Sequence, residues 1–168
     1  MQMQKRTILL GSSIIERWPS DKYSLNNLGI SGLTSGELME SYSRIRIPPQ
    51  QNIILYIGSN DITKNLPITT NEIYQNITEF ILKIMNNNKN QHIFFVAILK
   101  SPDRTREQIQ KIDIINRKMR EFSQKHPQNI YFCNLNRELS STKNYLPDKI
   151  HLSETGYSIL SKHLLSFL

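Results

Sequence analysis

Five short apolar runs alternate with segments of helical periodicity, and this alternation restricts the chain more than any other feature. "RTILLGS" reads as a strand reaching Gly11, and "YSLNNLGI" as a weaker one ending near Gly29. "QNIILYIGSND" is a strong strand ending at Gly58, "QHIFFVAILKSP" is another closed by Pro102, and "NIYFCNL" is a fifth. Between them, Ile73, Ile77, Phe80, Ile81 and Ile84 share one helical face, with Thr70 or Asn71 available to cap its start. Ile109, Ile112, Ile115 or Asn116, Met119 and Phe122 repeat at the same spacing until Pro127 ends the pattern. A shorter helix is expected over 35–44. A last one starts at Ser153 and Glu154, with Tyr157, Leu160, Leu164 and Phe167 as its inner stripe. Strands that are apolar on both sides of the pleat and separated by helices predict a parallel sheet covered on both faces. The expected fold is α/β: a flavodoxin-like three-layer α/β/α arrangement with a five-stranded parallel sheet.

A length of 168 residues suits one domain, 1–168, large enough to bury a core without a disulfide or metal staple. Pro48 and Pro49 punctuate the turn into the third strand and mark no linker. The single cysteine, Cys133, lies in an apolar run and reads as a buried, inert thiol. The net charge of +7 is spread along the chain, with local pairs such as Arg44 and Arg46, and no nucleic-acid motif accompanies it. The expectation is therefore no nucleic-acid partner. No stretch has the length of a membrane span, and "MQMQKRTILLGSS" lacks a cleavage site, so a cytoplasmic protein with no membrane partner is expected. Three scattered histidines, His92, His126 and His163, read as structural. No metal site or cofactor is expected.

In doubly wound sheets, ligands bind beyond the carboxyl ends of the strands. Polar clusters fall at those ends here: Gly11-Ser12-Ser13, Gly29-Ile30-Ser31-Gly32 and Gly58-Ser59-Asn60-Asp61, with Asp148-Lys149-Ile150-His151 ahead of the last helix. A serine hydroxyl needs a base to become a nucleophile, commonly a histidine oriented by a carboxylate. The three-residue spacing of Asp148 and His151 can place the carboxylate beside the ring. Acyl transfer also needs donors for the oxyanion. A glycine lets a backbone N–H approach closely, and Asn60 offers a side-chain amide.

With "GSSI", "NLGISGLTS", "IGSNDI" and "DKIHLS" in this order over residues 11–151, the chain resembles the SGNH hydrolases, the superfamily of GDSL-type lipases and esterases. It is most similar to the small bacterial branch like platelet-activating-factor acetylhydrolase. The resemblance implies that Ser13 is the nucleophile, His151 the general base and acid, and Asp148 the residue that orients it. It also implies an oxyanion hole made by the N–H of Ser13, the N–H of Gly32 and the side chain of Asn60. The chain departs from the family at Ser12, where relatives carry an aspartate that is not part of the triad.

Taken singly, Ser13 would serve as a helix N-cap, Gly32 and Asn60 as turn residues, and Asp148 and His151 as a surface capping pair; their joint occurrence favours catalysis. Substrate-binding residues are not legible. Lys100, Arg104 and Arg106 in the loop after the fourth strand would favour an acidic substrate or a phosphate-bearing leaving group if they turn inward, although a solvated loop is the simpler account. Trp18 and Tyr23 could line a pocket or pack in the core. "DITKNLPITT" should shape the other wall. The small chain leaves no room for a lid, so an open site for short acyl groups is expected. The expected function is a serine esterase removing short acyl groups, acetyl above all, from a carbohydrate or other small alcohol. Acyl transfer or thioester hydrolysis through the same acyl-enzyme is the alternative, and a ligand-binding relative without turnover, hinted at by Ser12, is the third reading.

Overall fold

The computed structural model describes residues 7–49 and 51–168. Arg6 of the first expected strand, and the N-terminal residues ahead of it, lie outside them. The strands are β1 Thr7–Gly11, β2 Asn26–Gly29, β3 Asn52–Tyr56, β4 His92–Val96 and β5 Ile130–Cys133. The helices are α1 Ser13–Glu16, α2 Ser35–Ser41, α3 Ser59–Thr63, α4 Thr70–Asn87, α5 Arg106–Lys125 and α6 Glu154–Leu165. The strands form one parallel sheet in the order β2-β1-β3-β4-β5. The chain winds one way from β1 to β2 and the other way from β3 onward. The strand order therefore reverses at β1 and β3, which is where a ligand crevice is expected.

Alternation along each strand divides the core in two. Ile8, Leu10, Ile53, Leu55, Ile93 and Phe95 face α2, α4 and α5, where Ile77, Phe80, Ile81, Ile115 and Met119 meet them. Leu9, Ile54, Tyr56, Phe94, Val96 and Cys133 face α1 and α6, meeting Ile15, Trp18, Leu160 and Leu164. These side chains are sealed from solvent, and each such burial contributes about 1.5–3 kcal/mol relative to exposure. This explains why the sequence shows near-continuous apolar runs where a half-exposed sheet would show alternation.

Three details differ from the sequence expectation. The cap of α4 is Thr69, not Thr70 or Asn71, because only Thr69 has a glutamate three residues on. Its hydroxyl accepts from the Glu72 N–H while the Glu72 carboxylate accepts from Thr69, a reciprocal capping box. The helix expected over 35–44 is α-helical only to Ser41 and tightens into a 3-10 turn at Tyr42–Arg44. Phe167 does not continue the inner stripe of α6: the helix ends at Leu165, and the ring is 59% exposed.

Candidate active site

Ser13 is the first residue of α1, and the chain enters that turn through Gly11 at φ +139. A Cβ at Gly11 would lie 1.9 Å from the Tyr56 carbonyl oxygen, so glycine is obligatory where β1 passes β3. The carbonyl of Ser12 caps α1 by accepting from the N–H groups of Ile15 (2.9 Å) and Glu16 (3.0 Å). Its hydroxyl makes no capping hydrogen bond. Ser12 is thus the N-cap by position, and Ser13 keeps its side chain for other partners. Behind the turn, the Trp18 indole donates to Ser161 Oγ (3.0 Å) and the Tyr157 hydroxyl to the Ile14 carbonyl (2.8 Å). Trp18 is 2% exposed and braces α1 against α6. Tyr23 packs at the edge of the same core.

Asp148 and His151 come together without a helix. Lys149 adopts φ +60, in the left-handed region, at a cost of about 1–2 kcal/mol for a non-glycine residue. The reversal lets Asp148 Oδ1 accept from the N–H groups of Ile150 (2.9 Å) and His151 (3.0 Å). The loop is closed by a bridge between Tyr145 and Leu152. Asp148 Oδ2 then lies 2.6 Å from His151 Nδ1, and His151 Nε2 lies 3.1 Å from Ser13 Oγ. An ionised carboxylate only accepts, so Nδ1 carries the proton and Nε2 accepts from the serine hydroxyl. The bonds to the ring and to the two backbone amides hold the Asp148 carboxyl at about 2. Lowering of this kind favours the ionised form, so its contribution is fully present above the ordinary carboxylate range and lost only as pH falls toward 2.

Gly32 and Asn60 face the same cleft as Ser13 and His151. Gly32 has φ +79 in a turn closed by the Leu33 N–H to the Ile30 carbonyl (3.2 Å), as a type II turn requires at its third position. Lys64, within the stretch expected to shape the other wall, donates to the Gly32 carbonyl (2.7 Å) and pins that loop. Asp61, 3% exposed, pins it a second time by accepting from the Ser35 N–H (2.9 and 3.1 Å) and hydroxyl (2.7 Å). The Asn60 amide donates one hydrogen to the Leu33 carbonyl (3.0 Å), which fixes its plane and leaves the second available. The cleft has a volume of ≈ 390 Å³, at the small end for ligand sites.

Of the basic residues after β4, only Arg104 turns inward: it lines the cleft and donates from Nη2 to Ser59 Oγ (2.7 Å). Lys100 pairs with Asp113 outside, and Arg106 is exposed at the start of α5. His92, His126 and His163 each stand against an aromatic ring, those of Tyr131, Phe122 and Phe167. Burial pushes the Cys133 thiol up to about 11, which suppresses thiolate chemistry. Among the described residues, no group of three or more His, Cys, Asp or Glu side chains is placed to hold a metal, and no helix is long and apolar enough to cross a membrane.

The family model for the GDSL-like Lipase/Acylhydrolase family matches residues 9–159. The fold is similar to a Streptococcus pneumonia protein provisionally described as a platelet activating factor, with 27% identity, a TM-score of 0.83, and coverage of 99% of this chain and 85% of that one. It is also similar to a GDSL-like lipase from Bacteroides thetaiotaomicron (18% identity, TM-score 0.83, coverage 96% and 86%). An acetylxylan esterase from Geobacillus stearothermophilus shares the fold at 16% identity (TM-score 0.75, coverage 99% and 95%). No match to this chain was found among curated proteins.

Proposed function

We propose, from the premise that this chain belongs to the GDSL-like lipase/acylhydrolase family, that it is a serine esterase removing short acyl groups, acetyl above all, from a small alcohol such as a carbohydrate. The observation that carries the reading is the continuous relay Asp148 Oδ2–His151 Nδ1 at 2.6 Å and His151 Nε2–Ser13 Oγ at 3.1 Å, opening on the cleft that Gly32 and Asn60 line.

In this mechanism Ser13 Oγ attacks the ester carbonyl carbon while its proton passes to His151 Nε2. The carbonyl oxygen becomes an oxyanion, met by the N–H groups of Ser13 and Gly32 and by the second amide hydrogen of Asn60. The bond from carbon to the alcohol oxygen breaks, and His151 returns the proton to the departing alcohol. Water then repeats the sequence on the acyl-enzyme, releasing the carboxylic acid and restoring the Ser13 hydroxyl. Asp148 holds the imidazole in the required tautomer and stabilises its charged form. Removing one oxyanion donor of this kind typically costs about 10²–10³-fold in kcat. That explains the value of the Lys64 and Asp61 contacts that fix the loop bearing Gly32.

Short acyl groups follow from the size of the cleft. Its volume is ≈ 390 Å³, and Ile14, Leu99 and Ile150 share its lining with Ser31, Asn60, Thr63 and Gln108. A long chain would leave apolar surface in water, forfeiting about 0.8 kcal/mol per methylene. Relative kcat/KM on p-nitrophenyl acetate, butyrate and octanoate is therefore expected to fall along the series once corrected for the reactivity of each ester. A preference for octanoate would overturn the short-acyl assignment. The acetylxylan specificity of the Geobacillus stearothermophilus protein suits an acetylated carbohydrate as the substrate class.

A further inference from the structure

Two polar side chains of the cleft wall, Asp103 and Gln108, are left unused by the esterase mechanism, and both come from the short segment after β4. The positive charges of that segment are out of a ligand's reach. Arg104 binds Ser59 Oγ through Nη2 (2.7 Å), and its Nε and Nη1 are sealed from solvent. Lys100 pairs with Asp113 outside, and Arg106 does not line the cleft. Asp103 does line it and is exposed. Among the described residues its carboxylate makes no hydrogen bond or ion pair. It stands two residues ahead of Thr105, the cap of α5, and so outside the first turn, where the helix dipole would give a carboxylate a structural use.

Gln108 supplies a donor on the same wall. Its Oε1 accepts from the Thr105 N–H (3.0 Å), and its own N–H donates to Thr105 Oγ1 (3.2 Å). With the oxygen held, the planar amide has its NH₂ fixed in direction as well. That NH₂ has no acceptor among the described residues, and unlike the Arg104 nitrogens it is not sealed from solvent. The segment itself is anchored. The Arg104 N–H closes a turn on the Ser101 carbonyl (3.0 Å), with Asp103 at its tip, and the Arg104 side chain ties the turn to Ser59. A wall held in place before binding has less freedom to lose when a ligand arrives.

A carboxylate only accepts and an amide NH₂ only donates, so the two select for chemistry. An anionic substituent would meet the like charge of Asp103. A cation would answer Asp103 and leave Gln108 without an acceptor. A hydroxyl both donates and accepts, and answers both. We propose that Asp103 and Gln108 form a hydroxyl-recognising subsite of the cleft, and that the preferred ester has a neutral polyol or sugar as its alcohol portion, with a further free hydroxyl bound there. The inference rests on the esterase reading: an acetyl group has no hydroxyl, so the recognised group belongs to the alcohol.

The test compares cyclohexyl acetate with trans-2- and trans-3-hydroxycyclohexyl acetate, by acetate release, in the wild type, Asp103→Ala and Gln108→Glu. Each protein is standardised by titrating Ser13 with a fluorophosphonate, and each rate is corrected for the base hydrolysis of its ester. Gln108→Glu separates recognition from capping: glutamate serves the same cap in α2 and α4, at Glu37 and Glu72, so the variant keeps the helix start and exchanges the donor for an acceptor. The wild type is expected to favour at least one hydroxylated ester by about tenfold or more in kcat/KM. The ratio of hydroxylated to plain ester is expected to fall about 10- to 100-fold in Asp103→Ala and about 3- to 10-fold in Gln108→Glu. An unchanged ratio in either variant, equal losses on all three esters included, overturns the pair. A wild type that turns over the esters without preference defeats the subsite and leaves the esterase reading standing. Absence of turnover on all three esters in titratable wild type defeats both.

Discussion

Ser13→Ala is expected to lower kcat on p-nitrophenyl acetate by roughly 10⁴-fold or more while leaving the thermal unfolding midpoint near that of the wild type. The size of the effect follows from the relay. Ser13 Oγ is the atom that His151 Nε2 reaches at 3.1 Å, and no other hydroxyl is hydrogen-bonded to that nitrogen among the described residues. Losing the oxygen removes the covalent route and leaves only what the oxyanion donors and binding contribute. The fold should tolerate the change. α1 is capped by the Ser12 carbonyl, and the turn is braced by Trp18 and Tyr157, so nothing in the local structure depends on the Ser13 hydroxyl. Steady-state rates beside circular dichroism melts of both proteins check the pair of statements. Equal activity in the two proteins would contradict the mechanism.

Asp148→Asn carries the second large effect, about 10³–10⁴-fold in kcat, for a reason of tautomers rather than charge alone. Asp148 Oδ1 accepts from two backbone N–H groups, so an asparagine will keep its carbonyl oxygen there and turn its NH₂ toward the ring. That NH₂ is a donor, and His151 Nδ1 must then become the acceptor. The proton moves to Nε2, which can no longer receive the proton of Ser13. The loop stays folded because both backbone bonds and the Tyr145–Leu152 bridge survive. The wild-type pH profile supplies a companion check. With its carboxyl held at about 2, Asp148 stays ionised above pH 4, so any loss of activity on acidification above that point belongs to protonation of the base and not to the carboxylate. Measuring kcat for the variant across the same range separates the two: a variant within tenfold of wild type would remove Asp148 from the mechanism.

The sheet was legible because burial on both faces forces long apolar runs, and Leu9, Ile54 and Phe94 could be recognised as strand core without knowing their partners. The site was legible because three of the clusters sat at the carboxyl ends of strands and the fourth just ahead of the last helix, so the fold itself brought Ser13, Gly32, Asn60 and His151 to one crevice. What remained hidden depends on contacts distant in sequence or on elements too short to show a period. α1 and α3 span four and five residues, about one turn each, and give no helical pattern to count. Lys64 and Asp61 act through residues 32 and 35, which local reading cannot pair with them. Trp18 looked as much like a pocket wall as a core residue until its indole was seen to meet Ser161 from the last helix. Arg104 was indistinguishable from Lys100 and Arg106 as a loop charge, and only the inward path of its side chain to Ser59 separates them. Thr69 could have been chosen from the sequence, since Glu72 three residues later is the signal that neither Thr70 nor Asn71 possesses.

The central claim is that Ser13 is a nucleophile activated by His151, and labelling the intact protein with a fluorophosphonate tests it most directly. Such a probe reacts only with a serine made nucleophilic by its surroundings. Intact-mass measurement followed by peptide mapping is expected to give one adduct per chain, placed on Ser13 and lost in Ser13→Ala. An unlabelled protein, or an adduct on any other residue, would contradict the account.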